Sequence, residues 1–427
     1  MQLLLKGGRI IDPSQGLDKV ADLLIEDGKI AKIGENLKAE KVEDVTGKVV
    51  LPGLIDMHVH LREPGFEYKE DIATGSQAAA AGGFTAVACM PNTHPVTDCK
   101  SIVESIRRRA EEVNLVRVYP IGAVTKELKG EEMAEIADMI AGGAVAFSDD
   151  AFPLENSGLM RRVMDYSSMF GVPLILHCED KSLSDEGHMN EGITSTILGL
   201  KGIPREAEEI AIARNLMLAR LTGCPVHIAH VSTRGSVEII RRAKEAGVNV
   251  TCETCPQYFS LTEEAVKGYD TDAKVNPPLR TADDVAAIKE GLADGTIDVI
   301  ATDHAPHAIE EKDCEFAAAL SGMVGLETAL GLVMTELVKP GVLSMSDAFE
   351  KMTAAPAKVL GLDAGTLQIG KSADITVIDP EAGWTVDPSK LHSRSKNTPL
   401  GGRKLVGKPI LTIVNGQVIA RNGEVIA

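Results

Sequence analysis

Two histidines, His58 and His60, stand two apart in the β-like run LIDMHVHL, so their imidazoles leave the same side of a strand. Residues of metal-ligand type recur at the ends of other such runs: Asp150 in AVAFSDD, His177 in VPLILHCED, His230 in PVHIAHVS and Asp303 in IDVIATDHAP. Imidazole and carboxylate without thiolate is a set that suits zinc ahead of manganese, cobalt or iron(II). Such an ion brings bound water to a pKa of about 7, so the chemistry expected is metal-assisted hydrolysis, with Asp303 as general base. Taken singly, each residue has a plainer reading as a hydrogen-bonded core residue or a helix cap. His227 and His230 differ by an odd number, so one alone is expected to face the site; His230, nearer the strand end, is the ligand and His227 structural. What argues for a site is the set, gathered from the ends of five strands.

A (β/α)8 barrel brings strand ends together, because all eight carboxyl ends converge on one face. Eight runs have strand character: LIDMHVHL, FTAVACMPN, VRVYPIGA, AVAFSDD, VPLILHCED, PVHIAHVS, VNVTCETCP and IDVIATDHAP. Helical stretches such as DIATGSQAAAAG and SVEIIRRAKEAG lie between them, the second ending in a glycine that stops helices. A doubly wound sheet also alternates in this way, but no glycine-rich dinucleotide fingerprint follows the first strand. The two ends of the chain differ from the middle. Asp27-Gly28, Asn415-Gly416 and Asn422-Gly423 sit between β-rich flanks, the signature of tight hairpins. The expected organisation is therefore α/β: a TIM-like barrel over residues 53–356, with a small β-sandwich formed by residues 1–52 and 357–427.

The chain has 427 residues, long enough for a large barrel and a second unit. Its formal net charge of −18 disfavours nucleic acid and anionic membrane as partners. No signal peptide is apparent, since the apolar start is cut by Lys6-Gly7-Gly8-Arg9, and seven cysteines without a disulfide-like framework suit a reducing cytoplasm. Two motif matches are set aside. Gly365 to Ser372 fits the P-loop expression, but a β-like run follows where a helix is needed. Cys252 and Cys255 form one CxxC inside a strand, a poor candidate for redox or zinc chemistry.

PGLIDMHVHLREPG, MPNTHPV, FSDD, LILHCED, HIAHVS, CPQYFSLTEE, KVNPPLR, ATDHAPH, GTLQIGKSADITVID and SKNTPLGGRKLVGKP resemble, in order, the motifs of the dihydroorotases among the cyclic amidohydrolases. The resemblance spans the chain and implies interconversion of N-carbamoyl-L-aspartate and dihydroorotate in pyrimidine synthesis. It implies His58, His60 and Asp303 at a first metal, His177 and His230 at a second, Asp150 between them, and zinc as one or two ions. His60, Arg62, Asn92, Asn276, His307, Ser321 and Gly322 are implied as substrate contacts, and Asp303 as the base. A guanidinium fork just after the histidine pair suits a substrate carboxylate. Relatives of other types bridge their metals with a carbamylated lysine, but no lysine lies between Lys129 and Lys181, which points to the type I group. Ala319-Leu320-Ser321-Gly322 also departs from the Pro-Phe-Gly frequent in relatives; contacts through the backbone survive that change, whereas side-chain contacts do not. The segment from His307 to Ser321 is expected to cover the site as a mobile loop. A homo-oligomer is expected, and the resemblance adds association with aspartate carbamoyltransferase. Rival readings are an allantoinase or hydantoinase, and a catalytically silent scaffold.

Overall fold

The structure, a computed structural model, describes residues 2–426. Three parallel strands, Leu54–Val59, Phe84–Cys89 and Arg117–Pro120, form one side of the barrel. Leu174–Leu176, Val226–Ile228, Val250–Thr254 and Val299–Ile300 form the other. The expected fourth strand joins them as a looser stave. Val145 N–H donates to Pro120 O (3.1 Å), Phe147 N–H to Pro173 O (3.2 Å), and Ile175 N–H to Phe147 O (2.8 Å). Pairing ends there because the chain turns outward at Ser148–Asp150. Asp149 is taken up as acceptor for the Val124 and Thr125 amides and the Thr125 hydroxyl. Closure comes from a bridge between Val59 and His304, with His60 N–H donating to His304 O at 2.9 Å.

Side-chain alternation then fixes what lies inside. Ala88, Ala146, Ile175, Ala229 and Ala301 fill the interior with small and branched groups. Val59, Leu61, Val87, Cys89, Leu174 and Leu176 face the surrounding helices. The alanine-rich helix Ile72–Gly82 starts at an Asp71 cap with a reciprocal Thr74 bond and stops at Gly83, φ 91°. Arg234–Glu245 starts at a Thr233 cap, buries Val237 and Ile240, and is followed by Gly247 at φ 77°.

Both chain ends build one nine-stranded sheet. Gln2–Asp12 runs beside Val49–Pro52, which pairs with Ile375–Thr385, next to Lys404–Val414. Leu3, Leu23 and Ile25 share one apolar core with Ile375, Leu411 and Ile413, so the sheet folds over itself as a sandwich. The three Asx-Gly turns are present, both residues of each at positive φ. No helix follows Gly365–Ser372, and Cys252 and Cys255 are buried free thiols pushed up by burial. Helix Ala354–Val359 leads from the barrel towards the terminal sheet, and Leu360 packs with the barrel interior. No helix among the described residues is long and apolar enough to cross a membrane.

Candidate active site

The carboxyl ends of the barrel strands meet in a buried pocket. Ligand atoms of His58, His60 and Asp150 lie within 4.8 Å of one another. Asp303 Oδ1 is 3.1 Å from His60 Nε2 and 3.5 Å from His58 Nε2, and Asp150 Oδ1 is also 3.5 Å from His58 Nε2. His230 packs 5.4 Å from His58, centroid to centroid, and its Nε2 meets His177 Nδ1 at 2.9 Å. The six expected ligands thus fall into His58, His60, Asp150 and Asp303 on one side and a mutually bonded His177–His230 pair on the other.

Backbone conformation aims them. Arg62, Asp150, His230 and Asp303 all have left-handed φ, at 61°, 44°, 36° and 51°. A non-glycine residue there carries strain on the order of 1–3 kcal/mol, and such strain gathers at functional sites. His230 shows the effect: the left-handed turn swings its ring beside His58, while His227 lies deeper, bonded to Thr251 Oγ1 (2.8 Å) and Glu253 Oε2 (3.3 Å).

The donor set fits a divalent metal ion. His58 is buried and its Nε2 has no hydrogen-bond partner, as is true of His230 Nδ1. An unpartnered buried polar atom calls for an explanation, and for these two imidazoles, set among carboxylates, a bound ion supplies one. Burial disfavours the Asp150 and Asp303 carboxylates, but the surrounding imidazoles outweigh it and hold both below the ordinary range. Burial likewise disfavours a charged His58, yet Glu253, Asp303 and Asp150 raise it well above a free imidazole. Burial together with His177 and His58 pushes His230 down to about 3, keeping it a neutral donor. The proton these carboxylates favour on His58 is what a bound cation would replace.

Two acids that sequence reasoning missed orient this set. Glu253, on the seventh barrel strand, is fully buried and sits 2.5 Å from His58 Nδ1, which leaves Nε2 for the ion. Glu179 receives His177 Nε2–H (2.9 Å), Lys181 Nζ (2.6 Å) and Asn276 Nδ2 (3.1 Å). A signal existed for each: Glu179 is two residues from His177, and Glu253 is the acid of VNVTCETCP, a strand that supplies no ligand candidate of its own.

The expected substrate contacts Asn92, Arg62, His307 and Ser321 lie around this cluster. Asn92 bridges two ligand candidates, its amide donating to Asp150 Oδ2 at 2.6 Å and its Oδ1 meeting His60 Nδ1 at 3.0 Å. Arg62 is buried; its Nε donates to Pro306 O (3.1 Å) and its Nη2 lies 3.3 Å from His307 Nε2. Among the described residues it forms no ion pair; burial disfavours its charge, which Asp150, Asp303, Glu311 and Glu70 offset only in part. Burial, with Arg62, Lys69 and Lys312 nearby, pushes His307 down to about 3. His307 Nε2–H donates to Ser321 O at 2.9 Å, so Ser321 enters through its backbone, the kind of contact indifferent to the missing Phe.

A profile described as Dihydro-orotase-like matches residues 47–236, and one described as Amidohydrolase family matches residues 240–420. The chain is 57% identical to a dihydroorotase of Geotalea daltonii over 98% of its own length and 99% of that protein. It is 58% identical to a dihydroorotase of Pelotomaculum thermopropionicum, covering 99% of each. Among solved structures it is similar to L-hydantoinase (dihydropyrimidinase) from Arthrobacter aurescens, with TM-score 0.90, 30% identity, and coverage of 100% and 97%. A D-hydantoinase from a Thermus species gives TM-score 0.87 at 26% identity, covering 100% of this chain and 96% of that one.

Proposed function

The chain belongs to the dihydroorotase family of the amidohydrolases, and on that premise we propose that it interconverts N-carbamoyl-L-aspartate and dihydroorotate. The observation that carries this reading over a hydantoinase or allantoinase is the buried Arg62 guanidinium, which forms no ion pair among the described residues, beside His307 and the metal-ligand cluster. Dihydroorotate bears a ring carboxylate that a planar fork can grip; hydantoin and allantoin bear none.

His58, His60 and Asp303, with Asp150, His177 and His230 across the pocket, would hold one or two divalent ions, taken here to be zinc. When bound, such an ion would supply Lewis acidity and lower the pKa of its water to about 7. The residues do the rest. Arg62, Asn92 and His307 fix the carboxylate, with Asn276 and the Ser321–Gly322 backbone framing the ring. Asp303, held ionised, accepts the proton of the attacking water and passes it to the ring nitrogen as the C–N bond breaks. Ring closure reverses these steps: Asp303 takes the proton from the carbamoyl nitrogen as it attacks the side-chain carboxyl and hands it to the carboxyl OH, which departs as water when the C–O bond breaks. The barrel of residues 53–356 carries the chemistry, and residues 1–52 with 357–427 support it. The working context is a cytoplasmic pyrimidine-synthesis enzyme, homo-oligomeric, with aspartate carbamoyltransferase as the candidate partner.

The test is turnover of dihydroorotate and N-carbamoyl-L-aspartate against hydantoin and allantoin, with metal content measured on the same sample. Selective turnover of the first pair by metal-loaded protein is expected. Preference for hydantoin or allantoin would overturn the reading, and metal-free, inactive but folded protein would favour a scaffold.

A further inference from the structure

The segment after the eighth strand is tied down by cations that form no ion pair among the described residues. Lys312, the last residue of the short helix Ile309–Lys312, is buried, and its ammonium donates to Leu320 O (2.8 Å) and Gly322 O (3.1 Å). These carbonyls flank Ser321, whose own carbonyl receives His307 Nε2–H. Lys274 acts alongside, donating to Phe316 O (2.8 Å) and Ala317 O (2.9 Å), while its backbone carbonyl accepts Gly322 N–H at 2.8 Å. A third arm comes from the far end of the chain. Asn397 Nδ2 donates to Gly322 O (3.0 Å) and Ala305 O (3.1 Å), and its Oδ1 accepts His307 N–H at 3.0 Å.

Lys312 forms no ion pair among the described residues, and burying an ammonium without a counter-ion is costly. A neutral amide could tie the same carbonyls without that penalty. What a cation adds to that tie is charge: Lys312 acts on His307 electrostatically, together with Arg62 and Lys69, and so raises the potential where an anionic substrate is gripped. Gly322 shows how tight the junction is. Its φ is 143°, and a Cβ there would lie 2.8 Å from Ala305 Cβ and 3.0 Å from the His307 ring.

We propose that Lys312 is a positioning residue for the carboxylate grip, pinning both carbonyls around Ser321 so that His307 and Arg62 are held at one spacing. The role in substrate binding rests on the dihydroorotase reading; the pinning does not. The variant is Lys312→Met, which keeps the stem and loses the donors, compared with the wild-type holoenzyme in two measurements. In steady state, KM for dihydroorotate should rise at least tenfold with kcat within threefold and metal content unchanged. In limited proteolysis without substrate, chymotryptic cleavage after the exposed Leu320 should quicken at least tenfold without a matching loss of thermal stability. Wild-type KM in an active variant overturns the positioning role, and unchanged cleavage overturns the pin. A wild type that leaves dihydroorotate untouched refutes the assigned reaction instead, and the cleavage rate still decides the pin. Should Lys312→Met fail to fold, Thr271→Val removes only the hydroxyl bond to the Lys312 carbonyl (2.6 Å). A two- to fivefold rise in KM is then expected, and none counts against the proposal.

Discussion

Glu253→Gln should weaken metal binding while leaving the fold intact. Each oxygen of Glu253 faces one imidazole nitrogen, His58 Nδ1 at 2.5 Å and His227 Nε2 at 3.3 Å. Burial alone would raise this carboxyl, but His58 and His227 hold it below the ordinary range, so both contacts are made to an anion. Glutamine keeps an acceptor for His58 and turns its NH2 to His227. His227 adapts by switching tautomer, since its Nδ1 can donate to Thr251 Oγ1. The fold therefore keeps its hydrogen bonds, and what disappears is the charge behind His58. Charge-assisted bonds are roughly twice as strong as neutral ones. Loss of such a partner behind a metal-binding histidine lowers metal affinity about 10–100-fold, which corresponds to about 1.4–2.8 kcal/mol. Competition against a chromogenic chelator measures this directly, with circular dichroism and thermal melts of the metal-free protein as controls for folding. An affinity within twofold of wild type, in folded protein, would refute the orienting role of Glu253.

Asp303→Asn should cut turnover by three orders of magnitude or more; appreciable turnover with metal still bound would show that the proton is carried elsewhere. Arg62→Lys keeps the charge and loses the planar fork, so KM for dihydroorotate should rise about 10–100-fold with kcat less affected, read from steady-state kinetics. Gly322→Ala should raise KM and destabilise by about 1–3 kcal/mol in urea titrations, because the left-handed φ and the His307 ring leave a methyl no room. Lys312 gives a pH signature. Burial pushes it down to about 8, so below that pH the fold carries a charged, poorly solvated ammonium. Between about pH 8 and 10.4 the unfolded chain binds the extra proton, and this group's contribution rises with pH. Wild type should thus gain stability relative to Lys312→Met between pH 7.5 and 9.5, and a flat difference would count against it.

The site was legible in sequence where residue type and strand position coincide. His58 with His60, and Asp303 at the last strand, need only alternation and barrel convergence. The Asx-Gly hairpins were legible because their chemistry is local. The fourth stave was not fully so: its residues have β character, but Asp149 is committed to Val124 and Thr125, and regular pairing ends there. Left-handed φ at Arg62, Asp150, His230 and Asp303 leaves no mark in a sequence, since none is glycine. His227 was expected to stand apart from the site. It is tied to His58 through Glu253, because side chains at two depths share one barrel interior. Lys312 and Lys274 were invisible for another reason: their partners are backbone carbonyls, and carbonyls have no residue identity.

Asn397 has a consequence in the order of synthesis. The chain leaves the ribosome N-terminus first, so Val49–Pro52 is made more than 300 residues before its partner Ile375–Thr385. The barrel strands and every metal-ligand candidate are also complete before Asn397 appears. An incomplete chain can therefore assemble the acid and imidazole cluster, yet His307 still lacks the side chain that accepts its amide, and Gly322 lacks one of its ties. The grip on the substrate closes only when the C-terminal segment folds back onto the barrel, which makes competence for binding a property of finished molecules.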